Sequence, residues 1–365
     1  MRLIYLKYNI LVWSTLLLLL SCHRRPLEET CEDNALIPIG TVWSQADINP
    51  QNVTALFYNQ DDGKLVLEHR FENNPNRIQT YANVPAGKYT VVIFNELRGQ
   101  IKGVGIRGHE NFSTLQAYAT TDPNAKNRST DNSYVYEPDI LASVTVSDFN
   151  VTNEMIDFSH YYSNGEVVNQ SMQESIEALV GLVPLRKVHK FNIVAHVKGL
   201  NNARMPALID LLGMAESFNI KEDRSSRIAA TQQFTMNNRT YDSGSRKNGT
   251  ISKSIYTWGF LGEKPNETNV QRDSPVQMDF LFMLVDAEKT LIRQQVNVTS
   301  LVTFQPETNG ATTLNLYVEV PDPLPDVTPE GSGNSGFETE VIDWDIIEVP
   351  LNIKSVSYTH LTLPT

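Results

Sequence analysis

Cys22 is the side chain best placed to do chemistry, because its thiol ends an apolar N-terminal segment. Leu19-Leu20-Ser21-Cys22 closes a run that starts behind Arg2 and Lys7 and passes through Ile10 to Leu20. A positive start, a short apolar core and a small residue before a cut are the parts of a secretory signal peptide. Residues 1–21 therefore read as signal, with Leu19, Leu20 and Ser21 forming a lipobox and Cys22 as the first mature residue. A membrane-spanning helix needs about 20 apolar residues, and Ser14, Thr15 and Ser21 interrupt a shorter run.

Other chemistry-bearing residues do not assemble into a constellation. The seven histidines are scattered, and His189 and His196, seven apart on an expected strand, fall on opposite faces. Glu338, Glu340, Asp343, Asp345 and Glu348 offer oxygen donors, but without the glycine and ligand spacing of a calcium loop; they read as a solvated acidic edge that keeps a strand from pairing wrongly. Gly103-Val104-Gly105-Ile106-Arg107-Gly108 begins like a dinucleotide fingerprint, yet no strand–helix–strand pattern surrounds it, so a sharp turn is expected there. Hydrolase elbows, zinc-protease helices and phosphate loops are missing from the sequence. The expectation is a protein that is not an enzyme, with no metal site and no cofactor beyond the N-terminal lipid on Cys22. Trp43, Tyr161, Tyr162, Trp258 and Trp344 are the aromatics that could stack on a sugar, but they sit among strand residues, where core packing is the commoner role. The Asn-x-Ser/Thr triplets at Asn52, Asn150, Asn248 and Asn297 carry little weight in a chain with a bacterial export signal.

Charge narrows the partners. The formal net charge is −12, and losing Arg2 and Lys7 with the signal takes it to −14. Repulsion from phosphates argues against nucleic acid, and against adhesion to an anionic bilayer except through the lipid. Cys31 is the only other cysteine, so no disulfide framework is available and stability must come from packing.

The elements that must position any site read as short strands. Asn52–Tyr58 and Lys64–Glu68 flank Gln60-Asp61-Asp62-Gly63, a hairpin signal. Val84-Pro85-Ala86-Gly87 feeds a run to Phe94 that is apolar on both faces, as in a central strand. Phe112–Thr120 reads as a short helix or a loop, and Thr121–Ser133 as an exposed loop. Phe191–Lys198 alternates as a half-buried strand before a turn at Gly199-Leu200-Asn201-Asn202. Further strands are expected at Ser254–Leu261, Met278–Val285, Thr290–Val298 and Thr313–Val320, then a Pro/Gly/Ser loop at 321–335 and a last strand ending at Ile353. Ser171–Leu182 is the helical candidate, placed between the domains.

Residues 355–365 look foreign. From Val356 they resemble the translation of a transposon-end sequencing adapter and are left out of fold reasoning.

A cysteine at the first mature position resembles bacterial lipoproteins. More of the chain, from Cys22 to Ile353, resembles the fimbrillin-like (Mfa-like) lipoproteins of gut Gram-negative anaerobes, an uncharacterised branch of them. The carrying stretches are Val84–Tyr89 leading into Val91–Asn95, Pro184-Leu185-Arg186 through Phe191 to Ala203, Gly213–Glu216, and Ser335–Glu338 through Asp343-Trp344 to Ile353. The resemblance implies an all-β fold, two transthyretin-like β-sandwich domains in series. The expected organisation is signal 1–21, tether 22–35, N-terminal sandwich 36–170, bridging helix 171–183, C-terminal sandwich 184–354 and non-native tail 355–365. It also implies a lipid-anchored, surface-exposed outer-membrane protein of structural or adhesive function, a fimbrial anchor or accessory subunit. Partners would be the outer membrane through the lipid and fimbrial subunits through strand exchange. Polymerising members are cut after a basic residue near the N-terminus. Arg24 and Arg25 are the candidates here, and they precede the first expected strand, which suits an anchored subunit better. The alternative is a carbohydrate-binding outer-membrane lipoprotein of a glycan-uptake system, with a glycan as partner.

Overall fold

The computed structural model describes residues 34–73, 80–95, 103–126, 133–161, 174–264, 274–307 and 312–331. The lipobox, Cys31, the acidic stretch at 338–348, the expected strand ending at Ile353 and the tail lie outside the described residues. Within them the protein is built of mostly antiparallel sheets with short helical segments.

The first half contains a two-stranded sheet of β1 (Asn34–Ile39) and β4 (Thr80–Pro85). A five-stranded sheet faces it, in the order β10 (Leu185–Arg186), β9 (Ala142–Val151), β5 (Gly87–Asn95), β2 (Asn52–Asn59), β3 (Leu65–Glu72). Ala35, Ile37 and Ile39 of β1 interleave with Val53, Phe57, Val91 and Ile93 in one core. The expected hairpin is present: β2 pairs with β3, and Gly63 takes φ +70° in the connecting turn. That turn is held by the Asn59 side chain, which accepts the Asp61 N–H at 2.8 Å. A helix, α1 (Asn153–Tyr161), follows β9 and buries Met155 and Ile156 in this core. Sequence periodicity did not point to it. Of the expected helix at 171–182, residues 174–179 are helical, and Leu179 packs into the same first core.

The second half is a sandwich of two five-stranded sheets. One has the order β16 (Asn238–Tyr241), β17 (Gly249–Thr257), β11 (His189–Val197), β21 (Thr312–Glu319), β20 (Val302–Pro306). The other runs β19 (Leu291–Asn297), β18 (Gln277–Leu284), β12 (Ala203–Ala215), β15 (Ala229–Met236), β8 (Tyr134–Val135). Phe191, Ile193, Leu314 and Leu316 meet Ile209, Leu211, Met278 and Phe280 between them. The alternation read in β11 and β21 is therefore the face of this core.

A third core joins the halves. Leu56, Tyr58, Val92 and Phe94, on the second face of the first five-stranded sheet, pack with Ala215, Phe218, Ala230 and Trp258. This explains why β5 is apolar on both sides: each face is covered. The join is also hydrogen-bonded. A mixed sheet takes β6 (Val104–Arg107) and β7 (Gln116–Ala119) from the first half and β13 (Ser217–Asn219) and β14 (Arg224–Ser225) from the second. β8 crosses over to pair in parallel with β15. Arg107 makes a two-pronged ion pair with Glu216 at 3.1 and 2.9 Å across the join.

Three local expectations are corrected. Gly103–Gly108 is not a turn throughout: Val104–Arg107 is a strand, with Gly105 against the Tyr118 ring. Phe112–Thr120 is neither helix nor loop alone. It is a single 3-10 turn at Phe112–Thr114, capped by the Asn111 side chain, followed by β7. The strand expected at Ser254–Leu261 ends at Thr257, and the residues beyond it split between cores, Trp258 entering the third and Phe260 the second.

Candidate functional site

Among the expected site residues, Cys22, Leu19, Leu20, Ser21, Arg24 and Arg25 lie outside the described residues. Of the aromatics considered for sugar stacking, Trp43 is 6% and Trp258 1% exposed, so both are core. No group of three or more His, Cys, Asp or Glu among the described residues is arranged to hold a metal. No described helix is long and apolar enough to cross a membrane.

His189 and His196 do fall on opposite faces of β11. His189 points inward at the end of the core. Burial, helped by the neighbouring Arg186 guanidinium and opposed by a hydrogen bond to the Thr312 backbone, holds its pKa down at about 4. Arg186 is itself buried and pairs with Glu307 at 2.9 Å. The buried Glu263 carboxylate, which accepts the Phe260 N–H at 2.7 Å, lies beside the His189 ring around Gly259. Arg186, His189 and Glu263 are buried, and the Glu307 side chain, 26% exposed, is the member of the cluster that reaches the surface.

His196 faces out. Its Nε2 lies 2.8 Å from Asp242 Oδ2 and its Nδ1 2.8 Å from Glu319 Oε2. Carboxylates only accept, so both contacts are satisfied by the imidazolium. Consistently, the hydrogen bond to Asp242, and then that to Glu319, raise the His196 pKa, while His196 lowers that of Glu319. Tyr317, 55% exposed, donates to the other Glu319 oxygen at 3.1 Å. Both ring nitrogens are taken by carboxylates, so His196 is not poised on a nucleophile.

Beside Tyr317 a row of polar side chains crosses four strands of the same outer face. Ser254 donates to Asn192 Oδ1 at 2.7 Å, Asn192 Nδ2 donates to Asn315 Oδ1 at 3.0 Å, and Asn315 Nδ2 donates to Gln305 Oε1 at 3.3 Å. The row forms because β11 and β21 are parallel neighbours, placing Asn192 opposite Asn315, Val194 opposite Tyr317 and His196 opposite Glu319. Each strand's outward residues were legible separately. Their adjacency was not, because the chain leaves β11 and returns only after most of the second half has been laid down.

The opposite outer face carries a second network that sequence reasoning missed. Asp210 on β12 accepts from Tyr134 at 3.0 Å and from Gln233 at 2.8 Å. Gln233 also grips the Lys126 backbone, accepting its N–H at 2.5 Å and donating to its carbonyl at 2.7 Å. Part of the loop expected to be exposed is thus strapped to the second half. Asp279 lies opposite Asp210 on β18, and burial raises its pKa, with the Asp210 charge adding to the effect. Tyr134, Asp210 and Gln233 are far apart in sequence and carry no shared signal.

Stacked sheets with cores shared between two halves define an all-β protein of the β-sandwich class. The chain belongs to the family described as Domain of unknown function (DUF5119), whose model matches residues 21–235. No curated protein matches it in sequence. Among solved structures it shares its fold with a "putative adhesin" from Bacteroides ovatus ATCC 8483. The identity is 17% and the TM-score 0.52, with 84% of this chain and 99% of the other covered. Weaker superpositions include "putative polysaccharide binding proteins (DUF1812)" from Bacteroides thetaiotaomicron, at 7% identity, TM-score 0.42 and coverage of 78% and 90%. The fimbrial anchor protein Mfa2 from Porphyromonas gingivalis gives 7% identity, TM-score 0.37 and coverage of 77% and 95%. Superpositions that weak carry no argument about this chain.

Proposed function

We propose that this chain is a lipid-anchored protein of the bacterial cell surface, a non-catalytic anchor or accessory subunit of a fimbrium that serves adhesion. The observation that carries the reading is one chain joining a lipobox at Cys22 to a fold shared, along almost the whole of its partner's length, with a putative adhesin. The place of β1 supports the anchored role over the polymerising one. A cut at Arg24 or Arg25 would release the lipid yet leave β1, whose Ala35, Ile37 and Ile39 are at most 1% exposed in the first core. Removing that strand as well would uncover Val53, Phe57 and Val91 on the facing sheet, an apolar groove of the kind a neighbour's strand fills. An anchor has no need of that step.

The test is capture of the epitope-tagged full chain from cross-linked outer membranes, followed by mass spectrometry. Fimbrillin-like subunits are expected in the cross-linked species, with a mature N-terminus at Cys22. Recovery of the chain alone, or with an N-terminus beyond Ile39, would overturn the assignment.

A further inference from the structure

We propose that the outer face of the β16–β17–β11–β21–β20 sheet, centred on Tyr317, is a binding site for neutral polysaccharide. The adhesive reading above supplies only its cell-surface setting. Tyr317 is the exposed aromatic on this face, with 55% of its surface open to solvent and its hydroxyl tied to Glu319. A phenol ring fixed at one end offers an apolar plate with a polar rim, the combination that packs on the face of a sugar ring. Strand residues two apart share a face, so Asn315 and Glu319 flank Tyr317 along β21 on the same side. The three span about 13 Å at the rise of a strand, the length of a short run of pyranose rings.

The polar groups around the ring suit sugar hydroxyls. Asparagine is disfavoured in strands, yet Asn192 and Asn315 stand opposite each other on adjacent strands in the middle of this sheet. Their mutual hydrogen bond, and those to Ser254 and Gln305, hold the amides in place. An amide has four hydrogen-bonding positions, so each retains a donor and an acceptor for a ligand. On the other side, Glu319 and Asp242 are strong acceptors, and one of their two charges is offset by His196 between them. A net charge of −14 after signal removal sets the class of glycan: acidic polysaccharides are repelled and neutral ones are not.

The test uses the full mature chain carrying Cys22→Ser, so that it is soluble, titrated with starch, mannan, xylan and mixed-linkage β-glucan, with heparin as the acidic control. Binding to at least one neutral polymer is expected. Tyr317→Ala should weaken it up to about tenfold, the equivalent of one aromatic contact of 0.5–1.5 kcal/mol. Tyr317→Phe should retain most of it, and Leu291→Ala on the opposite sheet should leave it unchanged. Because Tyr317 is exposed, its loss is not expected to disturb folding, which circular dichroism checks. No binding to any neutral polymer, or binding indifferent to Tyr317→Ala, would overturn the proposal. The fimbrial reading fails separately: it falls if the wild-type chain captures no fimbrial subunit, whatever the glycan result.

Discussion

His189 and His196 share β11 and respond to pH in opposite senses, because one is sealed among core residues and the other is held between two carboxylates. The unfolded chain binds a proton at a histidine near pH 6.5. Folded His189 resists protonation down to about 4, so its contribution is fully present above roughly 6.5 and is lost as the pH falls towards 4. The loss amounts to at most roughly 3 kcal/mol. Comparing urea unfolding midpoints at pH 7 and pH 4.5, His189→Leu should remove part of the wild-type fall on acidification. Equal falls in the two proteins would show that His189 is not the group responsible. His196 is the reverse case: its folded pKa is raised, so its stabilisation is complete below about 6.5 and disappears as the pH rises through the folded value. His196→Gln should therefore cost about 1 kcal/mol or less at pH 6, the scale of an exposed ion pair, and nothing at pH 9. A cost independent of pH would contradict the imidazolium assignment.

At the scale of elements, β12 is the most instructive strand. Its sequence, with Pro206 and Gly213 inside, argues against a long central strand, and none was expected there. It nevertheless runs 13 residues at the centre of its sheet, because the ladder is interrupted where those residues fall: pairing with β18 breaks between Arg204 and Leu208, and pairing with β15 breaks between Leu212 and Met214. Gly213 sits in the second break at φ +86°, where a Cβ would lie 2.4 Å from the Pro275 carbonyl oxygen. Gly213→Ala is thus expected to cost roughly 1–3 kcal/mol in chemical denaturation; a change within a few tenths would mean that the bulge relaxes freely. The regular strands were legible for the converse reason. In β2 and β3 a local turn declares the pairing, in β11 and β18 burial alternates from end to end, and in β21 it alternates from Leu314 onward. What pattern alone could not reveal is long-range neighbourhood. Nothing local says that Tyr317 and Glu319 meet His196 and Asp242 on one surface, or that Tyr134 reaches Asp210 across 76 positions.

The whole molecule is held by what its halves share. Trp258 and Phe218 stack at 6.3 Å inside the third core, with Leu56, Val92 and Phe94 of the first half in the same cluster. The family match ends inside β15, while the second sandwich closes only with β17, β18 and β21. Truncation at the end of the matched region should therefore leave the second core open. Trp258→Ala is expected to cost about 3–5 kcal/mol and to separate a single calorimetric transition into two; a variant that still unfolds in one step would show that the mixed β6–β7–β13–β14 sheet is coupling enough. The lipid is the part on which the proposed role depends most. The most direct measurement is fatty-acid labelling combined with protease treatment of intact cells making wild type or Cys22→Ala. The account predicts that wild-type protein is labelled, that globomycin blocks its maturation, that external protease cuts it, and that Cys22→Ala is unlabelled and leaves the membrane. Wild-type protein without label, or labelled but protected from protease until the outer membrane is broken, would contradict a lipid-anchored protein of the cell surface.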